Sequence, residues 1–185
     1  MKFDKIDIQK FDSTGNYILS EYYLFSYSYS DSCWAERFLQ ADFFIDVYYK
    51  CKIDISFYIN RKKNNKSYKQ KIETQIEINI PSKIENLLES INKIEKLSLK
   101  KCYWDTFLED SEREHFVINH QNTSHNIGIE ILLKKVNPQN ESEELFFNLY
   151  SEIKKWREEV YNKILYEKSI TTSHNSGLLK WRLFL

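Results

Sequence analysis

Glycine occurs three times, proline twice and cysteine three times in 185 residues, and alanine only at Ala35 and Ala41. With glycine confined to Gly15, Gly128 and Gly177, no glycine-rich loop can cradle the phosphates of a nucleotide. Cys33, Cys51 and Cys102 are odd in number and far apart, which gives neither a disulfide framework nor zinc spacing. No run of ~18 apolar residues is present to span a membrane. The opening Met1-Lys2-Phe3-Asp4-Lys5-Ile6-Asp7 carries acids and no apolar run, so it does not read as a signal peptide, and a cytoplasmic location is expected. Net charge is +0, from 27 basic and 27 acidic residues. A dedicated nucleic-acid binder normally carries a basic excess, so that class is disfavoured. No serine or cysteine stands in a nucleophile turn, and no cofactor motif is present.

What the chain has in quantity is aromatic residues: 13 Tyr, 12 Phe and 4 Trp. Such a core is filled by bulky side chains, and some Tyr must reach the surface, where it makes good interface material. The composition, rich in Lys, Asn, Ile, Tyr and Phe, is also what A+T-rich codons produce.

Hydrophobic alternation organises the chain. From Phe43 to Ile59 every odd position is apolar, and most even positions are polar or charged. A basic stretch from Arg61 to Lys71 follows, and alternation resumes through Ile72, Ile76, Ile78 and Ile80. A period of two means strand, so a long antiparallel hairpin over about 43–80 is predicted, oily on one face and wet on the other. Straight, 43–59 would span roughly 55 Å, so a bend or bulge is expected near Lys50-Cys51-Lys52. The first half should pair with 17–29 and the second with 72–80. Tyr23, Phe25, Tyr27 and Tyr29 should share one face of an earlier strand.

Residues 3–11 suggest an edge strand, and Cys33–Leu39 a short helix or turn capped by Asp31-Ser32. Pro81 ends the hairpin, and Ser82 with Glu85 reads as a capping box for a helix over about 83–97. Ile84, Leu87, Leu88, Ile91 and Ile94 form its apolar stripe, and Glu89 with Lys93 an i,i+4 pair. Residues 99–108, 116–119 and 127–136 are strand candidates. Glu109–Glu114 reads as a charged turn, and 120–126 as a polar connection. Asn140 with Glu143 caps a second helix over about 141–167, roughly 40 Å long. Leu179, Trp181, Leu183 and Leu185 alternate as a terminal strand. The expected fold is a single α+β domain over 1–185, a mostly antiparallel sheet with the two helices packed on it.

Candidate chemistry is sparse. His115, His120 and His125 are evenly spaced, but a spacing of five puts successive residues on opposite faces of a strand, so no metal site is expected. Arg113 and His120 stand apart as the Arg and His of the HEPN ribonucleases do, yet that motif belongs on a helix and this segment is β-prone. Glu143-Glu144 and Glu158-Glu159 read as solvated helix faces. The candidates for partner binding are Phe44, Tyr48 and Tyr58, which interrupt the wet side of the hairpin, and Arg61, Lys62, Lys63 and Lys66 of its basic tip.

These features point to a small protein-binding module. Bacterial immunity proteins are often compact acidic or neutral domains without catalytic motifs, and the chain is similar to them in size and character. No family motif is matched residue by residue. Steric occlusion of a partner toxin or enzyme is the expected mode. The alternative is a nucleic-acid-associated or nuclease-like protein using the 61–71 loop and the histidines. Strand addition by 178–185 to a neighbouring copy would make a homo-oligomer.

Overall fold

A computed structural model describes residues 2–31, 36–63, 66–104, 112–130 and 136–170. Strands β1 (Gln9–Phe11) and β2 (Tyr17–Leu19) pair as a small two-stranded sheet. The main sheet holds β3 (Tyr23–Ser30), β4 (Gln40–Asp46), β5 (Lys50–Lys63), β6 (Lys66–Asn79), β7 (Cys102–Trp104), β8 (Arg113–His120) and β9 (Thr123–Glu130). Its order is β6-β5-β4-β3-β8-β9-β7, and among the described residues only the β7–β9 pair is parallel. Helices α1 (Ser82–Lys93) and α2 (Glu141–Ile170) pack on one face. The chain is therefore α+β, as the pattern predicts.

The long alternating run is two strands rather than one bent strand. It reverses at 46–49, where the Asp46 carboxylate accepts from the backbone N–H groups of Tyr48 (2.9 Å) and Lys50 (3.0 Å). Tyr49 closes the turn with a left-handed φ of 59°. Alternation passes through the reversal unbroken because β4 and β5 pair odd with odd, Phe43 with Ile53 and Ile45 with Cys51. Opposed residues in an antiparallel pair share a face, so both strands keep their odd positions inward. The two halves do pair with β3 and β6 as expected.

A register shift between Tyr23 and Phe25 corrects the expected common face of β3. A β-bulge flips the alternation locally. Leu24 thus packs against the main core, and Tyr23 against a second cluster on the other face with Ile8, Leu19, Phe44 and Val117. This second cluster is covered by residues 3–19, so the part of the supposed wet face around Phe44 is not wet. Lys5 pins that cover, bridging Asp42 (2.6 Å) and Asp54 (2.9 Å), which face each other across β4 and β5. Of the edge strand expected over 3–11, residues 9–11 are strand β1, while residues 5–7 form a single 3-10 turn.

Pro81, not Ser82, is the N-cap of α1, and no side chain caps it. The Glu89–Lys93 pair is present at 3.6 Å. On α2, Asn140 Oδ1 accepts from the Glu143 N–H at 3.0 Å, the expected cap. The polar stretch 120–126 is mostly strand: Gln121 and Asn122 (φ 48° and 62°) make a two-residue turn joining β8 to β9. Arg113 and Glu114 belong to β8, not to a charged turn. Expectations for 32–35, 105–111, 131–135 and the terminal strand 178–185 lie outside the described residues.

Candidate protein-binding surface

Strand β4 runs along β5 only as far as Ser56. From Phe57 to Lys63, β5 therefore has β6 as its one strand neighbour among the described residues. This two-stranded ribbon lies on the C-terminal half of α2. Its inner face buries Phe57, Ile59 and Ile72, with Phe57 edge-on to Tyr161 at 4.9 Å. Arg61 shares that inner side: its guanidinium donates to Gln70 Oε1 (3.1 Å) and to the Lys168 carbonyl (2.8 Å). The outer face presents Tyr58, Asn60 and Lys62 opposite Lys71, Lys69 and Ser67.

One further aromatic joins this outer face. Phe38 sits at φ 45°, a left-handed conformation, and is 42% exposed. A bulky residue there costs about 1–3 kcal/mol and persists only when its surroundings over-determine it. Its neighbours do so. Leu39 is buried, and its N–H donates to Asp31 Oδ2 at 3.0 Å. The Arg37 guanidinium is held between Asp31 (2.9 Å) and Glu158 (2.7 Å), and the Arg37 carbonyl accepts from the Tyr58 N–H (2.8 Å). Burial alone would raise the Glu158 carboxyl, but Arg37 and Arg157 hold it below the usual carboxylate range. The clamp sets the Phe38 ring edge-on to Tyr58 at 5.8 Å, with the Lys69 ammonium 4.9 Å above it. The result is an aromatic pair with Lys69 over one ring, Lys71 (paired with Glu73 at 2.5 Å) across the ribbon from Tyr58, and Lys62 further along the same face.

Of the sequence candidates, the structure brings Tyr58 and Lys62 together here. Lys66 lies at the ribbon tip, exposed. The side chain of Lys63 lies outside the described part. Phe44 is fully buried in the second cluster, because the N-terminal residues lie over it. Tyr48 is 79% exposed but caps the β4–β5 turn, roughly 30 Å along β5 from the patch. Sequence reading missed Phe38, since a left-handed non-glycine residue leaves no pattern in a sequence.

The histidines do not converge. The β8–β9 turn sets His120 and His125 on one face, rings 6.1 Å apart, and leaves His115 on the other against Tyr17. His120 Nε2 lies 2.8 Å from the Ile94 carbonyl, tying the end of α1 to the sheet. Among the described residues no three His, Cys, Asp or Glu side chains gather as a metal site would require. Arg113 and His120 fall at opposite ends of a strand, which removes the ribonuclease likeness. Burial pushes His115 below its ordinary 6.5, and burial with the neighbouring His120 lowers His125. A lowered pKa means that the unfolded chain takes up protons first, so stability falls as pH drops below about 6.5. The urea midpoint should be lower at pH 5.5 than at pH 7.5, and the difference should shrink in His115→Gln.

A buried polar cluster fastens α2 to the sheet behind the patch. Glu114, on β8, accepts from Tyr27 Oη (2.6 Å), Tyr150 Oη (2.6 Å) and the Arg157 guanidinium (2.9 Å). Arg157 also donates to Tyr27 Oη at 2.6 Å and stacks 3.4 Å over the Tyr29 ring. Glu158, which joins Arg157 to Arg37, links this cluster to the Phe38 clamp. Glu143, expected in solvent, is buried and accepts from Tyr103 Oη and the Gln139 N–H. Every buried side-chain N or O among the described residues has a partner.

No protein-family model, curated protein or solved structure matches the chain.

Proposed function

We propose that this chain is a protein-binding module that grips an acidic partner surface through the outer face of the β5–β6 ribbon, and that it acts as an immunity-type inhibitor by steric occlusion. The observation that carries the reading is Phe38, an exposed aromatic kept in a strained conformation by an ion-pair clamp. Strain maintained at a surface position signals use of that surface. An aromatic pair anchored by packing, with lysines around it, has the make-up of an interface hot spot. The lysines select an acidic partner and speed its approach. The basic ribbon and the histidines occupy opposite ends of the strand order, which favours the protein-binding reading over one that uses both on a single nucleic acid.

Tagged full-length chain, used as bait in extract of the source cell, tests this. A captured protein should be released by Phe38→Gly and by Tyr58→Ala, but not by Tyr48→Ala. Each of the first two should weaken the purified pair about 30-fold, the size of a hot-spot loss of ~2 kcal/mol. Phe38→Gly should leave the fold within about 1 kcal/mol of wild type, because relief of the left-handed strain offsets the lost ring contact. Capture of RNA or DNA instead, with a steep salt dependence, would replace this reading. Partner binding indifferent to both substitutions would remove the patch from it.

A further inference from the structure

Strand β6 is the edge of the main sheet, and among the described residues no backbone group pairs with its outer side. An open edge this long normally pairs with another strand or is guarded by scattered charge. Here the charge is sorted instead. Lys66, Lys69 and Lys71 occupy one half of the strand with no acid among them, and Glu73 and Glu77 the other half with no base.

We infer that β6 pairs antiparallel with β6 of a second copy, about a two-fold axis at Ile72, joining two sheets into one. The register follows from charge and parity. An axis perpendicular to the sheet keeps the helices of both copies on one side, so odd residues must oppose odd residues. With the axis at Ile72, Lys71 opposes Glu73 of the other copy, Lys69 opposes Gln75 and Ser67 opposes Glu77. On the helix side Ile72 meets its own copy, and Tyr68, 47% exposed, meets Ile76. Moving the axis by one residue either way sets Lys71 against Lys71 or Glu73 against Glu73, and like charges directly opposed repel. The edge thus carries its own complement. The Phe38–Tyr58 patches stay on the outer face of the joined sheet, so this pairing does not depend on the function proposed for them.

Lys71 and Glu73 pair with each other within one chain at 2.5 Å, and in the dimer each exchanges that exposed partner for the same residue of the other copy. An exposed pair contributes little to stability, so charge reversal leaves the fold intact, which circular dichroism verifies. The full chain should show a concentration-dependent dimer by sedimentation velocity. Lys71→Glu and Glu73→Lys should each weaken it about tenfold or more, since each sets two like-charge pairs across the axis. Mixing the two variants should restore dimer as a heterodimer. In it the two introduced charges, opposite in sign, face each other on one side of the axis, and the native Lys71–Glu73 pair forms on the other. A chain that remains monomeric at all concentrations overturns the inference. So does a dimer that neither variant weakens, or one that mixing fails to rescue.

Discussion

Glu114→Leu is expected to destabilise the fold by about 3–5 kcal/mol and to lower Tm by roughly 10 °C or more. The carboxylate is the shared acceptor of Tyr27, Tyr150 and Arg157, and all four side chains lie inside the protein. Its loss leaves the buried Arg157 guanidinium with Glu158 as its carboxylate partner and its Nη1 end uncompensated, and a buried charge short of one partner is the expensive way to break an ion pair. Two tyrosine hydroxyls lose their acceptor with it, each worth about 1–3 kcal/mol when left unsatisfied. The Arg157–Glu158–Arg37 chain should loosen too, and with it the presentation of Phe38. The double variant Glu114→Leu with Arg157→Met should recover much of the loss, because it removes both charges together. Thermal and urea unfolding of the singles and the double give the coupling directly. A single substitution no worse than a surface change, under about 0.5 kcal/mol, would mean that the cluster does not hold α2 to the sheet.

Alkaline solution should unfold the protein steeply. Burial, reinforced by the negative charge of Glu114, raises the hydroxyls of Tyr27 and Tyr150 above the ordinary value of 10.0. Burial also pushes Tyr103 up to about 12. A raised folded-state pKa means that the native chain keeps protons the unfolded chain has released. The stability these groups confer is therefore complete below about pH 10 and declines as pH rises beyond it. Each buried tyrosine that stays protonated contributes a slope that climbs toward ~1.4 kcal/mol per pH unit as the unfolded residue ionises, so Tyr27 and Tyr150 together cost about 2 kcal/mol between pH 10 and pH 11. Unfolding followed by circular dichroism, alongside tyrosinate absorbance at rising pH, checks this. Tyrosinate should appear in two steps, exposed residues first and the buried set together with loss of structure. Titration of all thirteen tyrosines in one ordinary step, with the fold retained, would contradict the burial described here.

Helices α1 and α2 were legible because their apolar residues recur at three and four, and because Asn140 supplies a side-chain cap. The strands were legible because one face of the sheet is covered by those helices, which enforces alternation. That same regularity hid the β4–β5 reversal, since odd-with-odd pairing preserves the pattern through a turn. The bulge at Tyr23–Phe25 was hidden for another reason: tyrosine suits either face, and a single apolar residue on the serine side of the alternation, Leu24, was its one trace.

The sequence by itself determined the class of fold, the inward face of β5 and the two helices, because local periodicity follows from burial on one side. Only the tertiary structure decided which polar groups are buried and which aromatics are exposed. Glu114 and Arg157 lie 43 residues apart and find each other through packing. Phe38 reaches the surface because Arg37 is clamped by Asp31 and Glu158, contacts from a loop and a distant helix. Such positions depend on what other segments bring within hydrogen-bonding distance, and a one-dimensional pattern carries no record of that.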